Sequence, residues 1–380
     1  MTQAIEWTGF ILGIALVVWN GSSVLRSLIV PRGLSSKLSQ VVATMVRKAF
    51  LMVVNRSTSY ETKDRVLALL APVFLMTILF TWISLFLLGF ALILWPFLDS
   101  FGRALLESGS STFTLGFAAT NAFGPSVIHF LAAGTGLAVV ALLIAYLPTI
   151  YAAFNRREIA VTTLQSRAGA PAWGPEILAR HHTVNLMGNL ASFYNEWEHW
   201  AADVAESHTN YPVLIWLRSP HPLRNWVIAL LSVLDSAALY LALSPQAAPT
   251  EARLCMRMGF TCLRTIADFL RIPYDPDPLP TDPVQLSYEE FHGGVHRLEQ
   301  IDFPMERSPE EAWSHFRGWR VNYESVAYAL ADLVVAPPGP WSGERHHLPG
   351  MTIVPQRPVD RSPEDPMLES PKKERSAWHA

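Results

Sequence analysis

Residues 99–125 read DSFGRALLESGSSTFTLGFAATNAFGP and contain a single basic residue, Arg103. Asp99 or Ser100 can cap a short helix that reaches about Ser110. The uncharged run from Thr112 to Ala119 is ill suited to a helix and reads as extended. Asn121, Gly124 and Pro125 then mark a turn, and a long apolar helix is expected from Ser126. The flanks decide what this order means. Residues 66–98 form 33 consecutive positions without Asp, Glu, Lys or Arg, and residues 108–154 form 47 more. About 20 apolar residues suffice to cross the hydrocarbon core as a helix. A half-helix and an irregular strand therefore sit between two spans. Non-helical backbone is tolerated at membrane depth only where protein buries it or it lines a watery cavity. The C-terminal end of a half-helix carries partial negative charge and favours a cation. Consecutive carbonyls, with a Thr hydroxyl at the inner end, can replace an ion's water shell.

Outward from this segment, composition agrees with a membrane protein. Half of the 380 residues are hydrophobic, only 16% are charged, and mean hydropathy is +0.22. Soluble domains carry about 25% charged residues. A soluble monomeric enzyme, a disulfide-rich secreted domain and a nucleic-acid binder are excluded, since there are two cysteines and the net charge is −3. A first apolar stretch, Trp7 to Leu25, is preceded by no Lys or Arg, so it reads as a retained span rather than a signal peptide. Asn20, Gly21, Ser22 and Ser23 near its end suit packing against a neighbouring helix. Eight basic residues against two acids between Arg26 and Arg65 place that segment on the cytoplasmic side. The N-terminus and residues 99–125 are then outside, and everything beyond 155 is inside. Within the basic segment, VVATMVRKAFLMVV (41–54) is too short to span. It reads either as an interfacial helix along the inner leaflet or as a helix packed under the bundle.

Thr114-Leu115-Gly116-Phe117-Ala118, between a short helix and an inner span, resembles the T-V-G-Y-G selectivity filter of the potassium channel family. The likeness covers residues 66–154, about a quarter of the chain. It implies a homotetramer in the plasma membrane with one pore, the carbonyls of Thr114, Leu115, Gly116 and Phe117 lining the path of potassium or another monovalent cation. Two departures stand out. Ala118 replaces the last filter glycine, which implies backbone strain there, a distorted outermost site and weaker potassium selectivity. Ala119 replaces an acid, and Phe117 lacks a bracing hydroxyl. In the inner helix, Gly134, Gly136 and Pro148 read as a gating hinge and kink, or as close-packing positions. His129, one turn into that helix, reads as a satisfied interfacial residue.

The expected architecture is all-α. It has an N-terminal span (1–30), a basic cytoplasmic or interfacial segment (31–65) and a pore module (66–154: outer helix 66–98, pore loop 99–125, inner helix 126–154). A helical cytoplasmic domain (155–336) and a disordered tail (337–380) follow. In the cytoplasmic part, helices are expected over Glu176–Leu243, Glu251–Leu270, Ser287–Gln300 and Pro309–Leu333, with a proline-rich connector at 273–283. Asn225–Leu243 is long enough to span, but Asp235 near its middle is costly in lipid, so it reads as a buried helix. No phosphate-binding glycine motif occurs, and no nucleophile, base and orienting group stand together, so no enzyme and no cofactor are expected. Glu289, His292, His296 and Glu299 have the spacing of metal ligands, although Gly293 and Gly294 weaken the helix between them; a solvated face is the plainer reading. The regulatory ligand or partner of this domain is unspecified. A different class remains open: a membrane-anchored sensor or scaffold whose re-entrant loop does not conduct.

Overall fold

The computed structural model describes residues 2–30, 36–57, 59–120 and 122–343. Asn121 and the tail beyond Gly343 lie outside the described residues. The chain divides into two compact units, Met1–Arg156 with Glu206–Arg218, and Arg157–Ala205 with Ser219–Ala380. No strand occurs among the described residues, and the run after Thr112 is turn and irregular backbone rather than extended strand.

The first unit begins with α1 (Thr2–Leu28), α2 (Lys37–Val54), α3 (Tyr60–Leu67) and α4 (Leu70–Leu94). It continues with α5 (Phe101–Thr112) and most of α6 (Phe123–Ala168). α1 and α4 run antiparallel at close range. Gly9 faces the Trp95 ring, and a Cβ added to Gly13 would lie 2.6 Å from the Gly89 carbonyl oxygen. Small residues permit such an approach of two backbones. Further along, Asn20 Nδ2 donates to the Trp82 carbonyl at 2.9 Å, and Trp82 Nε1 donates to Ser23 Oγ at 3.1 Å. The core joins Val24 of α1, Val42 and Val46 of α2, Ile78, Trp82, Phe86 and Phe90 of α4, and Ala132 and Val139 of α6.

Three boundaries differ from the sequence reading. α6 starts at Phe123 rather than Ser126, with Pro125 in its first turn, where a missing N–H costs no helical bond. The same helix runs unbroken past Arg156 and Arg157 to Ala168, with Pro148 inside it. Residues 206–218 belong to the first unit, not to the later helical part. Val213 and Leu214 are buried against Ala71, Ile150 and Ala153, Arg218 pairs with Asp64 and donates to Tyr60 Oη at 2.6 Å, and Arg47 lies over the Trp216 ring.

The second unit wraps α9 (Trp226–Leu243), all of whose residues are buried. Around it pack α7 (Gly174–Thr183), α10 (Thr250–Leu270), α12 (Pro309–Arg320) and α13 (Glu324–Leu333). α8 (Leu190–Asn210) precedes α9, and α11 (Tyr288–Glu299) packs on α7 and α12. Asn225 caps α9 by accepting from the amides of Val227 and Ile228. Ser287 and Ser308 form reciprocal capping boxes with Glu290 and Glu311. The expected helix Pro309–Leu333 is two helices, with a turn at 321–323. Residues 337–343, expected in the tail, pack on this unit instead: Trp341 is buried and packs edge-on to Trp173.

Four helical stretches are long and apolar enough to cross a membrane, against three expected: Gln3–Leu28, Tyr60–Phe97, Phe123–Ala168 and Trp226–Leu243. The first three are 28–39% buried over their most apolar windows, whereas the fourth is 100% buried. α9 therefore meets its apolar requirement inside the protein itself.

Candidate functional site

The site is built by α5 and the irregular residues 113–120 that follow it. Ser100 Oγ caps α5 by accepting from the Arg103 amide. The helix then descends beside α4, where Ser108 Oγ donates to the Leu87 carbonyl at 2.7 Å. It ends at Thr112 against Gly136, where an added Cβ would run into the Thr112 carbonyl oxygen. At 1.5 Å per residue, that contact lies about 20 Å along α6 from Phe123. Gly134, by contrast, has open space around it. Of the two hinge glycines, Gly136 is thus a close-packing position.

The loop is hung from the last turn of α5 by its amides. Phe113 N–H donates to Gly109 O at 3.0 Å, Thr114 N–H to Ser111 O at 2.9 Å, and Leu115 N–H to Ser110 O at 2.7 Å. Gly116 N–H reaches the same Ser110 carbonyl at 3.4 Å, and Ala118 N–H donates to Ser110 Oγ at 3.1 Å. With the amides of residues 113–116 and 118 turned to α5, the carbonyls of residues 113–117 accept no hydrogen bond from the described residues. Residues 113–117 are all exposed on the single chain, so these carbonyls are open to water or to a cation whose water shell such groups can replace.

Backbone strain falls elsewhere than expected. Thr114 has φ +56° and Gly116 has φ +73°, whereas Ala118 is not in the left-handed region. Ala118 thus does not take the left-handed conformation that the resemblance implied for the last filter position. Thr114 carries it instead, a conformation that costs a residue with a Cβ about 1–2 kcal/mol and that the amide bonds to Ser110 and Ser111 hold in place. Leu115 and Phe117 are 63% and 64% exposed on the single chain, while Ala118 is buried.

Behind the loop lies a polar cluster that the sequence reading missed. Glu107 is fully buried. It accepts from Arg103 Nε at 2.8 Å and from Thr120 Oγ1 at 2.9 Å, and its other oxygen lies 3.2 Å from His129 Nε2. His129 Nδ1 pairs with Ser111 Oγ at 2.9 Å. Glu107 thus ties α5 to the exit of the loop and to α6. Its signal in the sequence was a lone acid four residues after Arg103 in a stretch otherwise free of charge up to Arg156.

The metal candidates do not converge. His296 Nδ1 lies 3.2 Å from Glu299 Oε2 on an exposed face, and His292 packs on the Tyr288 ring. Among the described residues, no three or more His, Cys, Asp or Glu side chains are placed to hold a metal ion. Compared with protein-family models, with characterised proteins and with solved structures, the chain matches none.

Proposed function

We propose that this chain is one subunit of a tetrameric cation channel, conducting potassium or a similar monovalent ion through the carbonyls of Thr114, Leu115, Gly116 and Phe117. The observation that carries the reading is the loop itself: amides committed to Ser110 and its neighbours, carbonyls left free, and the C-terminal end of α5 beside them. A cation entering such a loop exchanges water oxygens for carbonyl oxygens, and the negative end of the α5 dipole stabilises it. On this reading α1, α4 and the apolar part of α6 are the three spans, with the loop between the second and third. Basic residues 26–65 set the cytoplasmic side, and α9 belongs to a helical domain outside the membrane, its Asp235 paired with Arg320 rather than facing lipid. Gating follows from movement of α6 against α5.

The test is ion flux. Full-length protein in potassium-loaded vesicles should release potassium down its gradient, and Gly116→Val should abolish that flux with the protein still folded. A β-branched side chain cannot hold a φ of +73° without clash. No flux at any voltage or pH would remove the channel reading.

A further inference from the structure

Between Arg26 and Tyr60 the chain carries six basic residues and no Asp or Glu, and α2 lies inside that stretch. One side of α2 is spoken for: Val42 and Val46 are in the core of the first unit, with Leu38 and Phe50 packed against it. On the other side Lys37, Val41, Met45, Lys48 and Met52 follow at steps of three and four, so they share one face, and Arg56 lies one turn further on. Val41, Met45 and Met52 are 56%, 65% and 64% exposed, and the three basic residues are exposed with them. Lys37, Lys48 and Arg56 alternate with apolar side chains along this stripe.

A stripe of that kind suits neither open water nor the hydrocarbon core. It fits the boundary between them, where apolar side chains enter the acyl region and cationic ends meet negative headgroups. We propose that this face of α2 docks on anionic phospholipid headgroups of the leaflet beside it. Charge complementarity selects that occupant, because a symmetric second copy would set the same positive stripe against itself. The two sequence readings of α2, interfacial or packed under the bundle, then describe two faces of one helix. The proposal requires the chain to be in a membrane but does not require it to conduct.

The experiment places a polarity-sensitive label on full-length Met45→Cys protein, whose native Cys255 and Cys262 are buried. The protein is reconstituted into phosphatidylcholine vesicles, with or without phosphatidylglycerol, each carrying brominated acyl chains as quencher. Quenching should be roughly threefold stronger with phosphatidylglycerol and should fall at high salt. The Lys37→Gln, Lys48→Gln, Arg56→Gln triple variant should return to the phosphatidylcholine level. An unquenched label in both vesicles, or equal quenching in the two, would overturn the proposal. Self-quenching between labelled copies that ignores lipid charge would assign the face to a second copy and overturn it likewise. Loss of potassium flux with charge-dependent quenching intact would count only against conduction.

Discussion

Gly136 has no room for even one more carbon, and that fact separates it from Gly134. Its backbone meets the Thr112 carbonyl at the end of α5, so Gly136→Ala must push α5 away from α6 or bend one of them. Overpacking of this kind costs about 1–3 kcal/mol. We expect Gly136→Ala to lower both the thermal midpoint of the detergent-solubilised protein and the potassium flux. Gly134→Ala meets nothing within 4 Å and should raise the midpoint slightly, since alanine favours the helix, while leaving flux unchanged; a flux loss confined to Gly134→Ala would make that residue a hinge. At position 118 the backbone lies outside the left-handed region that the resemblance implied. Ala118 already sits at an ordinary φ, with its amide on Ser110 Oγ, so Ala118→Gly relieves nothing. Reversal potentials in mixed sodium and potassium should be the same for Ala118→Gly and the parent protein. The residue to disturb is Ser110, which holds the amides of Leu115, Gly116 and Ala118.

At the scale of elements, α9 poses the sharpest question, since length and hydropathy alone make it a span. Its solution is a buried charge network. Arg320 pairs with Asp235, donates to Glu324 Oε1 at 2.7 Å and to the Trp341 carbonyl at 2.8 Å, and Tyr323 Oη donates to Asp235 at 2.8 Å. Two carboxylates share one guanidinium. Burial pushes the Asp235 carboxyl up to about 6, although Arg320 and Tyr323 pull it down. The sign follows from linkage. A carboxyl whose folded value exceeds its unfolded value of 3.8 binds protons more tightly when folded, so its stabilising contribution is full below the unfolded value and is lost as pH rises through about 6. Between pH 7 and pH 5 the parent protein should therefore gain stability relative to Asp235→Asn, as read from the difference of their unfolding midpoints. A difference that does not change with pH would show that Asp235 does not titrate in this window. Removing the cation is more drastic. Arg320→Met leaves the buried Asp235 and Glu324 carboxylates without their shared cation and should cost about 3–5 kcal/mol. The helices of this unit were legible because caps and periodicity are local: Asn225, Ser287 and Ser308 announce their starts. Arg320 as the partner of Asp235 was not legible, because 85 residues separate them and nothing local links them.

For the whole molecule, the sequence made the membrane unit plain through missing charge and located the loop through its neighbours. It could not assign residues 206–218, whose Val213 and Leu214 look like any amphipathic segment until they meet Ile150 and Ala153. Nor could it place Glu107, whose role depends on Thr120 and His129 arriving from other elements. What remains is a loop that one chain leaves open. Phe113, Leu115 and Phe117 are 49%, 63% and 64% exposed, and the carbonyls between them have no donor among the described residues. On the proposed reading the loop lies at membrane depth, where irregular backbone facing lipid is not tolerated, so its exposed surface must be covered. A closed ring of copies covers it with the same surface each time, and a fourfold ring encloses one axial path lined by loop carbonyls. The expected outcome is a protein mass of four 42.3 kDa chains, measured by light scattering after subtraction of detergent. A single-chain mass in a preparation that still conducts would mean that one loop alone forms the path, and the reading of residues 113–118 as a shared filter would fall.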